Sequence, residues 1–353
     1  MEPSVADDPR AAVAVPPALA GALAAWDEAG VRWCLLRGAE DLQEPAGDVD
    51  LLVDRRDADV VRRLLTRRGA FLEKPAWGRR PHQFFVTYVE DEDRWLKLDL
   101  VTELCFGLRH ELCTHAADAV LARTVRSGTL AHPAPPDAFW ALLLHVLLDG
   151  RSPDERRARE LRWQAAAAGT RDAPLAALVD AACPPGWDAA RIVDAAAAGR
   201  LDDLRLLAPA LRAGWPGANL GTAALRRTVR GALRRADRRR PRPAGVALAV
   251  VGGAPHDRAD LAAALVGAWP ERAATLNGHR RIAVAAQRAR GGLVVLDVPE
   301  GGFAAARADV RVRLDAGRDA DDVRRAAVSA AWRRRVAQST DRMASKSSSR
   351  STG

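Results

Sequence analysis

Gly47-Asp48-Val49-Asp50-Leu51-Leu52-Val53 sets two carboxylates two residues apart in an otherwise apolar run. Side chains on a strand alternate between faces, so Asp48 and Asp50 project from one face, about 6–7 Å apart. Unpaired charge is costly to bury, and such a pair calls for something cationic opposite it. Magnesium, which favours oxygen ligands, answers that description. The same D-x-D spacing recurs at Asp57/Asp59, Asp91/Asp93 and Asp319/Asp321. Those pairs sit in turns or helix starts, where acids cap or are solvated. The bland alternative for Asp48 and Asp50 is an edge strand whose carboxylates face water.

Outward from this strand the chain alternates elements. Upstream, Ala18 to Ala29 reads as an alanine-rich helix closed by Gly30, and Val31 to Leu36 as a short strand ending at Gly38. Downstream, Asp57 caps an expected helix through Arg68, with Val60, Val61, Leu64 and Leu65 on one face and Gly69 as its stop. Gln83 to Val89 and Trp95 to Val101 are expected strands around the polar turn Glu90-Asp91-Glu92-Asp93. In the second, alternation sends the leucines one way and Lys97, Asp99 and Val101 the other. If that strand pairs beside the first, Asp99 becomes a third carboxylate. Three carboxylates and two metal ions form a clamp for in-line phosphoryl or nucleotidyl transfer. Arg37 and Lys97 are candidates to touch phosphate, or to pair with the aspartates. His82 either lines the cleft near Asp99 or is a turn histidine.

From Pro133 to Leu233 the pattern is helical, with expected helices at Asp137–Leu148, Ala158–Ala168, Leu175–Ala182, Ala189–Ala198 and Leu201–Ala213. After Arg240-Pro241-Arg242-Pro243, a strand at Val246–Val251 runs into Gly252-Gly253, followed by a helix at Arg258–Trp269. Strands at Gly292–Val298 and Val310–Leu314 and a basic helix from Ala320 to about Ala337 complete a βα alternation typical of a parallel sheet. The serine-rich end, 339–353, is expected to be disordered.

With 353 residues the chain suggests two or three domains. A hydrophobic fraction of 48% and a charged fraction of 28% argue against wholesale disorder. No run reaches the roughly 18 apolar residues of a membrane span, and the start carries no basic region before an apolar core. A cytoplasmic protein is therefore expected, with no membrane partner. Cys34, Cys105, Cys113 and Cys183 form no C-x-x-C pair, so neither a zinc site nor a disulfide scaffold is expected. His110 and His115 flank Cys113, yet nothing completes a metal site there. The formal charge of +9 is local in part: nine arginines lie between Arg226 and Arg242. That cluster lacks interleaved aromatics, which favours a solvated helix and linker over a nucleic-acid surface.

Leu35-Leu36-Arg37-Gly38, then the strand with Asp48 and Asp50, a helix ending at Gly69, and later Leu98-Asp99-Leu100 resemble a minimal nucleotidyltransferase domain of the DNA polymerase beta-like superfamily. The resemblance covers about residues 25–110. It implies an α+β domain with a mixed sheet over 16–132, in which Asp48 and Asp50 bind Mg²⁺–NTP. Asp99 then serves as metal ligand and helps activate an acceptor hydroxyl of unknown identity, while Arg37, Gly38 and Lys97 contact the nucleotide. The family usually has Gly-Gly or Gly-Ser at the phosphate-gripping turn; Gly38-Ala39 here lacks the serine hydroxyl. A helical domain with a basic linker follows over 133–240. Residues 245–337 resemble the opening of a thymidylate-kinase-like P-loop domain, truncated and degenerate. A working loop needs G-x-x-x-x-G-K-[ST]. Here Asp257 stands at the second glycine, Arg258 at the lysine and Ala259 at the hydroxyl, so kinase activity is expected to be absent. The expected whole is a multidomain α/β protein, either a Mg²⁺-dependent nucleotidyltransferase or a catalytically inactive nucleotide-binding or regulatory scaffold.

Overall fold

The computed structural model describes residues 14–38, 42, 47–67, 70–74, 81–107, 110–149, 155–167, 173–216, 245–270, 273–277, 293–298, 308–314 and 318–348. It is a mixed α/β structure with several sheets. The chain divides into two compact units: Met1–Leu65, Glu73–Phe85 and Lys97–Arg235 make one, and Thr66–Leu72, Val86–Leu96 and Ala236–Gly353 the other.

In the first unit, helix α1 (Pro17–Glu28) starts with proline in its first turn, where a missing N–H is harmless. It buries Leu19, Leu23 and Trp26, a stripe at helical spacing. Gly30, at φ +68°, takes the left-handed turn that leads into strand β1 (Trp33–Leu35). β1 pairs antiparallel with β2 (Val49–Val53), Cys34 opposite Leu52. Helix α2 (Ala58–Thr66) buries Val61 and Leu65. Then come β3 (Leu72–Glu73), β4 (His82–Val89) and, after a 3-10 turn at Glu90–Glu92, β5 (Arg94–Val101), of which Leu72 and the stretch from Val86 to Leu96 count with the second unit. β2 pairs parallel with β5, and the sheet order is β1-β2-β5-β4-β3. The sheet is thus mixed.

Two small hairpins follow: β6 (Cys105–Phe106) with β7 (Leu112–Cys113), and, after α3 (Ala117–Ala122), β8 (Val125–Ser127) with β9 (Leu130–His132). Neither hairpin was expected from sequence, because two- and three-residue strands are too short to show alternation. Helix α4 (Pro135–Leu148) has every side chain from Asp137 to Leu148 buried. A helix apolar on all sides belongs inside a protein, and α4 packs against α5 (Glu155–Ala167), α6 (Pro174–Ala182) and α8 (Leu201–Gly214). Helix α7 (Ala189–Ala197) is capped by Asp188, whose side chain accepts from the Arg191 N–H.

The second unit holds a parallel sheet ordered β11-β12-β10-β13, built from β10 (Val246–Gly252), β11 (Ala273–Asn277), β12 (Leu293–Asp297) and β13 (Val310–Leu314). β11 lies after Trp269, in a stretch whose periodicity predicts no strand. Helices α9 (Pro255–Ala268) and α10 (Ala320–Ser348) bury Leu261, Leu265, Val323, Ala327 and Trp332 with Val246, Leu248 and Val250 of β10. The same core contains Leu72, Val86 and Tyr88, with Trp95 packed on it. The Trp95 ring lies 5.4 Å from Trp269 and 5.1 Å from Trp332, both edge to face. The sequence pattern predicts an end of α10 near Ala337 and a disordered stretch from 339; the helix instead runs to Ser348. Alanine, arginine and methionine are good helix formers, and propagation from a packed segment is cheap. Among the described residues no helix is long and apolar enough to cross a membrane.

Candidate functional site

Parallel pairing of β2 with β5 sets Asp50 directly opposite Asp99. Asp48 stands one residue before β2, so two neighbouring strands carry three carboxylates, two at the start of β2 and one towards the end of β5. The apolar partners of the alternation, Leu51, Leu98 and Leu100, are buried and hold the strands in this register. Asp99 is 7% exposed.

Each carboxylate has a basic neighbour. Arg37 donates from Nε to Asp50 Oδ2 at 2.7 Å. His82 Nδ1 lies 2.8 Å from Asp99 Oδ2. Burial pushes the Asp99 carboxyl above its ordinary range; the His82 contact opposes the shift and the Asp50 charge adds to it. Asp48 is raised as well, first by desolvation, with Lys97 pulling it down and Asp50 and Asp99 pushing it up. Gly38 takes φ +76°, a backbone that favours glycine, with open space where a side chain would stand.

Around this centre stand residues that the sequence did not connect with it. The His110 ring lies 4.0 Å from that of His82, and His110 holds φ +53°. His82 Nε2 is buried without a hydrogen-bond partner. On α4, His145 Nδ1 lies 2.6 Å from Asp149 Oδ2, and Asp149 Oδ1 accepts from the Gly107 N–H at 2.7 Å. Burial lowers the His145 basicity; Asp149 opposes this and Arg37 reinforces it. Sequence offered no local signal for these contacts, since His82, His110 and His145 lie in separate elements.

The cysteines require a correction. Cys105 and Cys113 are disulfide-bonded, although their spacing predicted no disulfide. Hairpin pairing, invisible in a spacing rule, sets Cys105 opposite Cys113.

Donor chemistry at the carboxylates suits a hard cation, being all oxygen and crowded with negative charge. Two of the three carboxylates are already engaged, by Arg37 and His82, and among the described residues no three His, Cys, Asp or Glu side chains converge as a ready metal centre. Ala39 and the arginine cluster at 226–242 lie outside the described residues.

A second candidate sits at the end of β10. The neighbours of β10 are β12 and β13, so chain winding reverses there, and ligands of open α/β sheets bind at such switch points. Gly252 and Gly253 hold φ +76° and +61°, and a side chain on Gly252 would meet the Leu314 carbonyl oxygen at 2.7 Å. The protein fills this loop itself. Arg258 Nε donates to Asp297 at 2.8 Å, and its NH1 group donates to the carbonyls of Gly252 and Gly253 at 3.2 and 2.9 Å. Asp257 accepts from the Ala254 N–H at 3.3 Å, setting a carboxylate at the helix start where an anion would bind.

No protein-family model matches the sequence, and no curated protein or solved structure matches it significantly.

Proposed function

We propose that the first unit is a Mg²⁺-dependent nucleotidyltransferase that moves a nucleotidyl group from an NTP to a hydroxyl acceptor. The observation that carries this reading is the register Asp50 opposite Asp99, with Asp48 on the same strand end. Asp48 and Asp50 would hold the metal and the triphosphate, with Asp99 as the third ligand and the group that orients or deprotonates the acceptor. A bound divalent ion supplies charge neutralisation for the transferring phosphorus centre. Arg37, Gly38 and Lys97 would line the phosphate side, and Arg37, now paired with Asp50, would be able to pair with the triphosphate where a cation neutralises that carboxylate. The raised carboxyls of Asp48 and Asp99 support a site whose charge is completed by a cation. In this reading the helices after residue 133 bound the acceptor side, and the second unit is a degenerate P-loop-like domain without kinase activity. Its Arg258 and Asp257 contacts favour that last point, because they occupy the phosphate's place.

A rival reading rests on the same contacts. Arg37 on Asp50, His82 on Asp99 and Arg258 in the β10 loop neutralise both sites internally, as a scaffold that has lost turnover would do. Calorimetric titration of Mg²⁺–ATP and Mg²⁺–CTP into the full chain separates the two. Metal-dependent binding that disappears in Asp48→Asn/Asp50→Asn is expected. A folded parent chain that binds neither nucleotide would sink the enzyme reading and leave the scaffold.

A further inference from the structure

The β6–β7 hairpin lies beside the carboxylates and is closed covalently. Cys105 and Cys113 face each other across it, eight positions apart in sequence. Between them sits His110, whose N–H donates to the Gly107 carbonyl at 2.8 Å and whose ring is hydrogen-bonded to the Cys105 backbone. From there the contacts run to the site: His110 against His82 at 4.0 Å, His82 on Asp99 at 2.8 Å. On the other side of the hairpin, Gly107 is tied to Asp149 and through it to His145. His110 keeps a left-handed backbone that a non-glycine residue adopts only when its surroundings enforce it.

We propose that Cys105 and Cys113 form a redox-exchangeable pair whose disulfide clamps His110 against His82 and thereby sets the packing around Asp99. The partner class is a small thiol. Cys105 is buried and Cys113 is only partly so, which selects the direction of exchange. A thiolate attacks Cys113 Sγ, the S–S bond breaks, and its electron pair leaves on Cys105, which takes up a proton. A second small thiolate then attacks the small-molecule sulfur of the mixed disulfide, releasing Cys113, which is protonated in turn. The protein disulfide gains two electrons and two small thiols become one disulfide. Reduction leaves His110 held by hydrogen bonds alone, so its strained backbone relaxes and its ring leaves His82. None of this depends on nucleotidyl transfer.

The test uses the unaltered full chain equilibrated in glutathione buffers of graded ratio. Maleimide adducts counted by intact mass after acid quench and labelling in denaturant should rise by two as the buffer becomes reducing, the two bonded cysteines becoming free. Imidazole NMR signals, assigned through His82→Gln and His110→Gln, should shift for His82 and His110 over the same ratios. Those of His256, in the other unit, should stay. Cys105→Ser/Cys113→Ser should show the reduced-form signals at every ratio. Coincident His82 and His110 signals in oxidised and reduced chain would overturn the proposal. So would an adduct count that never rises, or loss of far-ultraviolet circular dichroism on reduction, which would make the bond a structural staple. None of these readouts needs nucleotide, so failure here and failure of the enzymatic reading remain separate results.

Discussion

His145 shows how a single buried base ties stability to pH. It is packed within α4, held by Asp149, and faces the charges of Arg37 and Asp50 from the sheet. Burial holds its folded-state basicity below the ordinary histidine value of about 6.5. The unfolded chain therefore takes up a proton that the native chain resists. Stability is present above the unfolded value and falls as pH drops below about 6.5. His110 is displaced in the same direction and by the same cause, so it adds to the slope. Urea denaturation at about pH 7.5 and 5.5 should show this loss in the parent chain, and a shallower loss in His145→Gln. An unchanged slope in the variant would remove His145 from the account.

At the level of elements, α8 carries a visible flaw. Pro209 lies inside it, where its ring blocks the bond that the Arg205 carbonyl would accept. The helix survives because Leu204, Leu207, Ala208 and Leu211 are buried on one face, and tertiary packing outweighs the local loss. Pro209 itself is exposed, so exchanging it leaves the core untouched. Pro209→Ala should stabilise the protein by about 1–3 kcal/mol, read from the midpoint of urea unfolding. No gain would mean that the proline's backbone is required by the packing of α6 and α7 on α8. The other elements follow their local codes more plainly: proline opens α1, α4, α6 and α9, and a carboxylate caps α7.

At the scale of the whole molecule, the second unit is assembled from three pieces of chain. Residues 66–72 and 86–96 lie far from 245–348 in sequence, yet Leu72, Val86, Tyr88 and Trp95 complete its core. The Trp95 indole N–H donates to the Ala268 carbonyl at 2.6 Å. Arg324 pairs with Asp93, and Ser329 with Glu90, beside the same core. A fragment of residues 245–353 would leave Trp269 and Trp332 without Trp95 against them. It should lack a cooperative thermal transition and a native near-ultraviolet tryptophan signal, whereas the full chain shows both. In the full chain, Trp95→Ala should cost about 2–4 kcal/mol, the truncation of a partly buried aromatic with loss of a hydrogen bond. A fragment that melts cooperatively would show that α9, α10 and the four-stranded sheet suffice alone.

Local physics was legible in the residues themselves. The Asp48-Val49-Asp50 alternation, the strands at 246–252, 293–297 and 310–314, and most helices follow from periodicity and punctuation, because each depends on neighbours within a few positions. Of the two roles that the sequence leaves open for Arg37, phosphate contact or pairing with an aspartate, the fold shows the pairing, with Asp50. What crosses the chain was not legible. Strand neighbours are chosen by burial over the whole sheet, so the register Asp50 opposite Asp99 was only a condition in the sequence and becomes a fact in the fold. The meeting of His82 with His110 and the union of Cys105 with Cys113 depend on a hairpin of two-residue strands, too short to leave a periodic trace. Trp95 reads as one of ten scattered tryptophans, and only tertiary packing sets it between Trp269 and Trp332. A hydrophobic side chain records that it will be buried but carries no mark of its partners, since the hydrophobic effect has no direction.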